Sequence, residues 1–344
     1  MRVVVVGGTG NISLGVVKAL LEFGHEVTVY NRGTTDLRGE GLADEALPHG
    51  VRVLRGDRND RAAFEATMRG ERFDAAVDMI CFDAADAESD LRAFPEVEHF
   101  VNISSVATLG GEPAELPMAA ASPRRPGDAY ALGKAAADEV FAAAHARGEL
   151  PLTVFMPAQT WGRQPRILRQ LGFESTWIDR IRRGLPILVA HDGQLIWSHC
   201  HADDAGVGIA AAVGRAGCVG QTYIITRFEL ATWRDYHEQI ASAVGRPAVF
   251  VDAPADLLIG AWPEGTGLLA RESRWNRIYD LSPIRRDIPE FQPKIALAEA
   301  ATEMIRRLDT RGLIPDARSD PAEDRIIASL DRLAKELAPE APVA

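Results

Sequence analysis

The chain opens with an apolar run that leads directly into a glycine-rich turn. Residues 3–6 are four consecutive valines, as in a strand buried on both faces of a sheet. The turn at residues 7–10 contains three glycines, and the apolar positions of residues 16–21 then share one helical face. A strand, a tight turn and a helix in this order predict a βαβ unit whose helix N-terminus can bind an anion.

Short β-branched runs alternate with amphipathic stretches as far as about residue 160, which is typical of an α/β protein with a doubly wound parallel sheet. Arg-rich and Gly/Pro-punctuated stretches follow. We therefore expect a Rossmann-type domain over residues 1–160 and a smaller α+β substrate lobe over residues 161–338, with the active site in the cleft between them. A strand near 222–225 is expected to return to the sheet, and residues 339–344 to form a frayed tail. Further strands are predicted at 26–30, 51–54, 75–79, 100–103 and 152–156, and helices near 204–213 and 232–244.

Charge and cysteine content exclude several classes of protein. The formal net charge of -11 is opposite to that of a protein that tracks nucleic-acid phosphates. Cys81, Cys200 and Cys218 lie far apart without a Cys-x-x-Cys spacing, so neither a disulfide framework nor a structural zinc site is predicted. No leader and no run of 18 apolar residues is visible. We expect a cytoplasmic protein with neither a nucleic-acid nor a membrane partner.

The glycine turn has the context of a dinucleotide site, because it follows the first strand and opens the first helix. Gly7 allows the tight turn, and Gly10 lets a pyrophosphate approach the backbone. Asn11 and Ile12 are expected to contact the same cofactor. Ser13 stands where a third glycine is usual, and a small serine is a tolerable departure. The alternative is an ordinary strand-to-helix turn.

The second strand ends in Asn31 and Arg32, without the acidic residue that would bind the adenosine ribose of NAD. A 2′-phosphate is therefore admissible, and Arg32 is placed to pair with it, which favours NADP over NAD. A solvated arginine is the alternative. Asp57 is expected either to accept a hydrogen bond from the adenine amino group or to cap the helix that starts near Asp60.

Tyr130 and Lys134 form the only Tyr-x-x-x-Lys pair in a chain with five tyrosines and four lysines. At this spacing both side chains project from one face of a helix. A neighbouring ammonium favours the phenolate and brings a tyrosine toward working pH as a proton acceptor. A surface tyrosine beside a solvated lysine is the alternative.

Together, these motifs resemble the extended short-chain dehydrogenase/reductase family, in its NAD-dependent epimerase/dehydratase branch. Ser104 and Ser105 end the fifth strand, and 25 residues separate Ser105 from Tyr130, as in members of that branch. Residues 156–162 look like the family's Arg-Pro-x-x-x-Tyr-Gly segment, and residues 201–204 like its His-Val-Asp-Asp. The resemblance covers roughly residues 1–250.

The resemblance implies a role for each matched residue. Ser105 would hydrogen-bond the reacting hydroxyl or carbonyl, Tyr130 would transfer its proton, and Lys134 would hold the nicotinamide ribose. Pro157 would contact the cofactor. A homodimer formed through helices that flank the sheet is also implied.

Two departures narrow the reaction. Related dehydratases have an Asp-Glu pair after the serine or threonine, whereas Val106 and Ala107 follow Ser105, so elimination of water is disfavoured. Many sugar-nucleotide epimerases have a phosphate-gripping arginine where this chain has Trp197, which puts a nucleotide diphosphate on the substrate in doubt.

Some side chains have two interpretations. Trp161, Trp177 and Trp197 line a sugar pocket or belong to the core. His199 and His201 alternate on one strand but have no evident further metal ligand, so we expect no metal. A cluster of arginines either binds an anionic group of the substrate, with Arg163 as the first candidate, or forms a solvated helix face. Its members are Arg163, Arg166, Arg169, Arg180, Arg182 and Arg183.

These observations predict NAD(P)-dependent hydride transfer at a hydroxyl-bearing carbon of a small molecule, with epimerisation of a sugar or sugar-nucleotide-like substrate as the main reading. Ser105, Trp161, Arg163 and Trp197 are the expected substrate contacts. An NADPH-dependent ketone reductase or alcohol dehydrogenase of the same fold is one alternative. A non-catalytic protein that senses cofactor or scaffolds partners is the other, although such proteins have typically lost the tyrosine or the lysine.

Overall fold

The computed structural model describes residues 1–33, 47–164 and 166–338; the tail predicted at 339–344 lies outside them. The strands are β1 (Arg2–Val6), β2 (Glu26–Asn31), β3 (Arg52–Arg55), β4 (Ala75–Asp78), β5 (His99–Ile103), β6 (Leu152–Pro157), β7 (Gln159–Trp161), β8 (Ile187–Val189), β9 (His199–His201), β10 (Thr222–Ile225) and β11 (Phe250–Asp252). The helices are α1 (Ser13–Glu22), α2 (Arg61–Glu71), α3 (Ala84–Ala93), α4 (Ala129–Ala146), α5 (Thr176–Arg183), α6 (Ala202–Ala212), α7 (Trp233–Val244), α8 (Ala255–Ala261), α9 (Ser282–Asp287), α10 (Leu297–Thr310) and α11 (Ala322–Leu337).

The chain divides into two compact units that alternate along the sequence. The first comprises Met1–Pro165, Trp197–Leu230 and Arg277–Ala296, and the second Arg166–Ile196, Ala231–Asn276 and Leu297–Ala344. No helix among the described residues is both long and apolar enough to cross a membrane.

A seven-stranded parallel sheet forms the centre of the first unit. Its strand order is β10-β6-β5-β4-β1-β2-β3, which confirms the doubly wound α/β fold. Val3 and Val5 pack on one face of the sheet, against α1 and α6, and Val4 and Val6 on the other. The strand order reverses between β1 and β4, where open α/β sheets bind ligands at the carboxyl ends of the strands.

The division predicted at residue 160 needs a correction, because residues 197–230 and 277–296 belong to the first unit. In the first of these segments, β10 pairs with β6 and α6 packs on α1. The two helices meet at glycines: a Cβ built on Gly206 would lie 2.3 Å from the carbonyl carbon of Gly15. Neither position admits a side chain, so the glycines permit this packing.

Buried ion pairs and aromatic rings organise the second unit, which also has a small parallel sheet of β8 and β11. The guanidinium of Arg169 donates to both carboxylate oxygens of Glu323, at 2.8 and 2.7 Å, and Arg180 lies 3.4 Å from the same carboxylate. Trp177 packs edge-on against His237, with 5.0 Å between ring centroids. All five side chains are buried.

Candidate active site

The glycine turn after β1 is shaped by two contacts that exclude side chains. Gly7 has a φ of +81°, and a Cβ there would lie 2.6 Å from Cγ2 of Ile80. A Cβ on Gly8 would lie 2.6 Å from Cγ2 of Val29. The turn can therefore pass between these side chains only with glycine at both positions.

Ser13 and Asn11 hold the remainder of the turn. Ser13 is buried, and its Oγ accepts a hydrogen bond of 2.9 Å from the backbone N–H of Gly10, so serine fits where a third glycine is usual. Asn11 Nδ2 donates to Thr160 Oγ1 at 3.3 Å. Ile12 is half-buried and immediately precedes α1. It packs against the core on the face of the sheet that α1 and α6 cover.

Arg163 lies on the turn as well. Its backbone N–H donates to Asn11 Oδ1 at 2.8 Å, and its Nη1 donates to the Asn11 carbonyl at 3.1 Å. Its Nη2 donates to both carboxylate oxygens of Asp203, at 2.6 and 2.8 Å. The guanidinium predicted to contact substrate is thus engaged in a bidentate ion pair that supports the glycine turn.

A cavity of about 250 Å³ opens beside the turn, at the point where the strand order reverses. It brings together five of the predicted cofactor residues with others that the sequence did not single out. The residues lining it are Gly7, Thr9, Gly10, Tyr30, Asn31, Arg32, Gly56, Asp57, Arg58, Asn59, Ile80, Phe82 and Asp86.

The rim after β2 is rich in guanidinium groups. Asn31 is buried, and its Oδ1 accepts from the Gly33 backbone N–H at 2.9 Å and from Arg55 Nη1 at 3.2 Å. Arg32 is exposed at the cavity. Asp57 accepts from the Asn59 backbone N–H at 2.9 Å; the cap of α2 is instead Asp60.

A buried arginine forms the floor of the same cavity. Arg58 donates to Asp78, to the Asp86 carbonyl at 3.0 Å and to Asp90 at 2.8 Å. Burial and the neighbouring Asp78 raise the pKa of Asp90 well above its usual value, although Arg58 opposes this shift. Through these contacts Arg58, the residue after Asp57, links β4 to α3.

Tyr130 and Lys134 project from the first turns of α4, which Asp128 caps by accepting from the Ala131 backbone N–H at 2.8 Å. Lys134 is 2% exposed, and its Nζ donates to the Ile103 carbonyl at the end of β5, at 2.7 Å. The same Nζ lies 6.0 Å from the ring centroid of Tyr130, whose side chain is 47% exposed. A buried cation therefore lies beside an accessible phenol.

Burial lowers the pKa of Lys134, while the charges of Cys81, Asp78 and Asp138 act in the opposite direction. An ammonium with a lowered pKa and a close carbonyl acceptor can take part in proton transfer nearer to neutral pH than an ordinary lysine.

The two serines after β5 have different partners. Ser104 is buried and donates to Asp138 Oδ2 at 2.6 Å. Ser105 is only partly buried, and its Oγ accepts from the Ala107 backbone N–H at 3.2 Å, where it caps a short 3-10 turn at Val106–Leu109. Burial raises the pKa of Asp138. Ser105 is thus the more accessible hydroxyl of the two.

Trp161 and Trp197 are both buried, at 2% and 4% exposure, which favours their interpretation as core residues. Trp161 donates to His199 Nδ1 at 2.9 Å, and burial lowers the pKa of His199 to about 3. His201 Nδ1 accepts from the Asp203 backbone N–H at 3.0 Å. No cluster of metal-ligating side chains is found among residues 1–33, 47–164 and 166–338. Pro157 is buried at the end of β6.

Most of the other arginines in the predicted cluster have structural partners in the second unit. Besides Arg169 and Arg180, Arg182 pairs with Asp309 at 2.6 Å and Arg183 with Asp179 at 2.6 Å. Arg166 lies over the ring of Phe173, 5.2 Å from its centroid. Arg169 and Arg180 are buried in ion pairs, so neither the substrate-binding nor the solvated-face interpretation fits them.

The sequence analysis did not single out Arg58 and Phe82, which line the cavity, or Arg55, which contacts the cavity residue Asn31. A signal existed for Phe82 alone, as an aromatic residue just after β4 at the point where the sheet reverses. The partners of both arginines are 20 to 32 residues away in sequence, and no local pattern reveals them.

Comparison with known proteins identifies the family. Residues 3–225 match the model of the NAD dependent epimerase/dehydratase family. The chain is 32% identical over 317 residues to 2'-dehydrokanamycin reductase of Streptomyces kanamyceticus, covering 92% of this chain and 87% of that protein. It is 28% identical over 178 residues to UDP-glucose 4-epimerase of Streptomyces lividans, covering 45% and 51%.

A solved structure shares the fold. UDP-glucuronic acid 4-epimerase of Bacillus cereus superimposes with a TM-score of 0.69 at 15% identity, covering 90% of this chain and 99% of that one. The resemblance inferred from the glycine turn, Ser105, Tyr130 and Lys134 is thereby confirmed. The chain belongs to the NAD-dependent epimerase/dehydratase family and is an NAD(P)-dependent epimerase or oxidoreductase of the short-chain dehydrogenase/reductase type.

Proposed function

We propose that the protein catalyses hydride transfer at a hydroxyl-bearing carbon of a sugar-derived substrate, with epimerisation as the net reaction. The observation that carries this proposal is the buried amine of Lys134, held on the Ile103 carbonyl beside the accessible ring of Tyr130. A pair of this kind moves a proton, and hydride transfer at a carbinol carbon needs one proton moved at its oxygen.

The residues around the cavity fit a nicotinamide dinucleotide. The glycine turn leaves room for a pyrophosphate at the N-terminus of α1, and Asn31, Arg32 and Asp57 line the side on which an adenosine would lie. When bound, the nicotinamide ring supplies a hydride acceptor and donor. The adenosine end would be held by Arg32 and Asp57, and the nicotinamide ribose by Lys134.

The chain's own residues then handle the substrate oxygen. The phenolate of Tyr130 takes the proton of the substrate hydroxyl, and the phenol so formed later returns it. The Lys134 ammonium stabilises the phenolate, and the Ser105 hydroxyl orients the substrate oxygen by a hydrogen bond. The buried valine and the alanine that follow Ser105 neither donate nor accept a proton, so these two positions supply no acid for expelling hydroxide.

The apolar residues at positions 106 and 107 lead to a prediction for the mass of the product. Once a substrate is identified, the product should have an unchanged mass for epimerisation, or a mass changed by two hydrogens for net oxidation or reduction. Mass spectrometry checks this directly. A product lighter by one water, formed by the parent and not by the Tyr130→Phe variant, would contradict the proposed reaction class.

The cofactor is proposed to be NADP rather than NAD. β2 ends in Asn31, followed by Arg32, and not in an acidic residue that would repel a 2′-phosphate. Arg32 is exposed at the cavity, and Arg55 contacts the neighbouring Asn31. Two guanidinium groups near Asn31, where the adenosine ribose would lie, would favour an additional phosphate there.

Removal of the Arg32 guanidinium tests the cofactor preference. A charge-assisted hydrogen bond is worth about 1.5 to 3 kcal/mol, so Arg32→Ala should weaken NADP binding about tenfold or more and leave NAD binding nearly unchanged. Isothermal titration measures both. Arg52→Ala, which removes an exposed arginine paired with Glu71, is the matched control and should change neither affinity. Equal losses for both cofactors, or tighter binding of NAD by the parent, would contradict the preference.

Net reduction of a ketone by NADPH is the second candidate. One observation favours it: the relative matched over 92% of the chain is a reductase whose name specifies an oxidised aminoglycoside. The two functions differ in cofactor balance, because a reductase consumes one NADPH for each product and an epimerase consumes none. Absorbance at 340 nm during turnover distinguishes them.

A further inference from the structure

Phe82 is a large apolar residue that stays half exposed next to the polar groups of the candidate site. It follows β4, lines the cavity and is 50% exposed. Its ring centroid lies 4.8 Å from Lys134 Nζ and 6.5 Å from the ring centroid of Tyr130. The ring therefore contacts the cation and the phenol that we assign to proton transfer.

The backbone of Phe82 is fixed on two sides. Its N–H donates to Asp86 Oδ2 at 3.0 Å, and Asp86 in turn lies in the Arg58 cluster. Its carbonyl oxygen packs against α4, where a Cβ on Gly133 would come within 2.3 Å of it. The side chain thus projects from an anchored segment, and the glycine inside the Tyr-x-x-x-Lys motif permits that contact.

We propose that Phe82 is a positioning residue for the Tyr130–Lys134 pair, its ring face covering the Lys134 ammonium and its edge holding the tyrosine ring in place. This inference rests on the proposed roles of Tyr130 and Lys134. The negative face of an aromatic ring attracts a cation, most strongly where water is excluded, as it is around this lysine.

The other groups near Lys134 set the direction of the effect. Asp78 and Cys81 at the end of β4 and Asp138 on α4 favour its charged form, whereas burial and Arg58 disfavour it. Loss of the Phe82 ring removes an interaction that stabilises the ammonium, so the pKa of Lys134 falls. A smaller fraction of the amine is then protonated while Tyr130 titrates, so the phenolate is stabilised less and the pKa of Tyr130 rises.

Ultraviolet titration of the cofactor-free protein tests this inference without a substrate. Absorbance at 295 nm reports tyrosinate, and subtracting the curve of Tyr130→Phe in each background isolates Tyr130. Phe82→Leu should raise the Tyr130 midpoint by at least about 0.3 pH units, whereas Phe82→Trp, which keeps a π face, should retain the parent midpoint. Phe23→Leu is the matched control, since Phe23 is 43% exposed at the end of α1.

Three outcomes would overturn the inference: an unchanged midpoint in Phe82→Leu, equal shifts in the leucine and tryptophan variants, or the same shift in Phe23→Leu. If the leucine variant melts early, Phe82→Met fills the volume without a π face and replaces it. A parent Tyr130 that titrates like an ordinary tyrosine would overturn the role of the Tyr130–Lys134 pair as well. If the parent Tyr130 midpoint lies below that of an ordinary tyrosine but does not change when Phe82 is replaced, only the present inference is overturned.

Discussion

Replacement of Tyr130 by phenylalanine should lower turnover at least about 100-fold, the usual contribution of a positioned acid–base group, and leave cofactor affinity nearly unchanged. The phenol is 47% exposed, so its loss leaves no buried cavity and should not disturb the fold. Steady-state kinetics on the identified substrate, with NADP(H) titration alongside, measure both quantities.

The matched control for this variant is Tyr223→Phe. Tyr223 lies on the edge strand β10, outside the lining of the cavity, and its hydroxyl donates to Asp287 Oδ2 at 3.0 Å. The control should lose some thermal stability and keep its turnover. A Tyr130→Phe variant that retains more than half of the parent activity would remove Tyr130 from the mechanism.

Lys134→Met should have the second large effect, at least about 100-fold in turnover together with about tenfold in cofactor affinity. The thioether fills most of the buried volume but cannot donate to the Ile103 carbonyl or stabilise a phenolate. The Tyr130 titration at 295 nm should therefore move to higher pH in the same variant, which a purely structural lysine would not cause.

An exposed lysine supplies the comparison for that experiment. Lys294 has an exposed side chain, and its backbone N–H donates to Asp204 Oδ2 at 3.1 Å, a contact that the substitution keeps. Lys294→Met should therefore behave as the parent. If Lys134→Met changed the melting temperature alone, with turnover and affinity intact, the lysine would be a structural residue.

Local patterns predicted the fold because each predicted element carries its own signal. The valine run, the glycine turn and the β-branched segments of β2, β4, β5 and β6 gave the sheet, and the apolar segment at 222–225 gave its edge strand. Five residues predicted to bind the cofactor, Gly7, Gly10, Asn31, Arg32 and Asp57, line one cavity. Spacing along a strand or helix suffices for such residues, since the topology of the sheet brings the carboxyl ends of parallel strands together.

Long-range pairing explains what the sequence could not supply. The sequence predicts Arg163 as a substrate contact but does not reveal its ion pair with Asp203, 40 residues later, or its contact with the glycine turn at Asn11. Arg169 looks in the sequence like a member of a surface cluster, yet it is buried and paired with the Glu323 carboxylate, 154 residues away. No periodicity links such partners, so their roles emerge only from the folded chain.

The central claim, hydride transfer with Tyr130 as the proton carrier, is tested most directly by isotope transfer. The protein would be mixed with NADPH carrying deuterium at both C4 positions and with keto sugars, namely 2'-dehydrokanamycin and a UDP-hexose oxidised at C4. Both candidate functions predict one deuterium on the new carbinol carbon, and its loss in Tyr130→Phe. Binding of the cofactor without deuterium transfer to either ketone, or equal transfer by the Tyr130→Phe variant, would contradict the account.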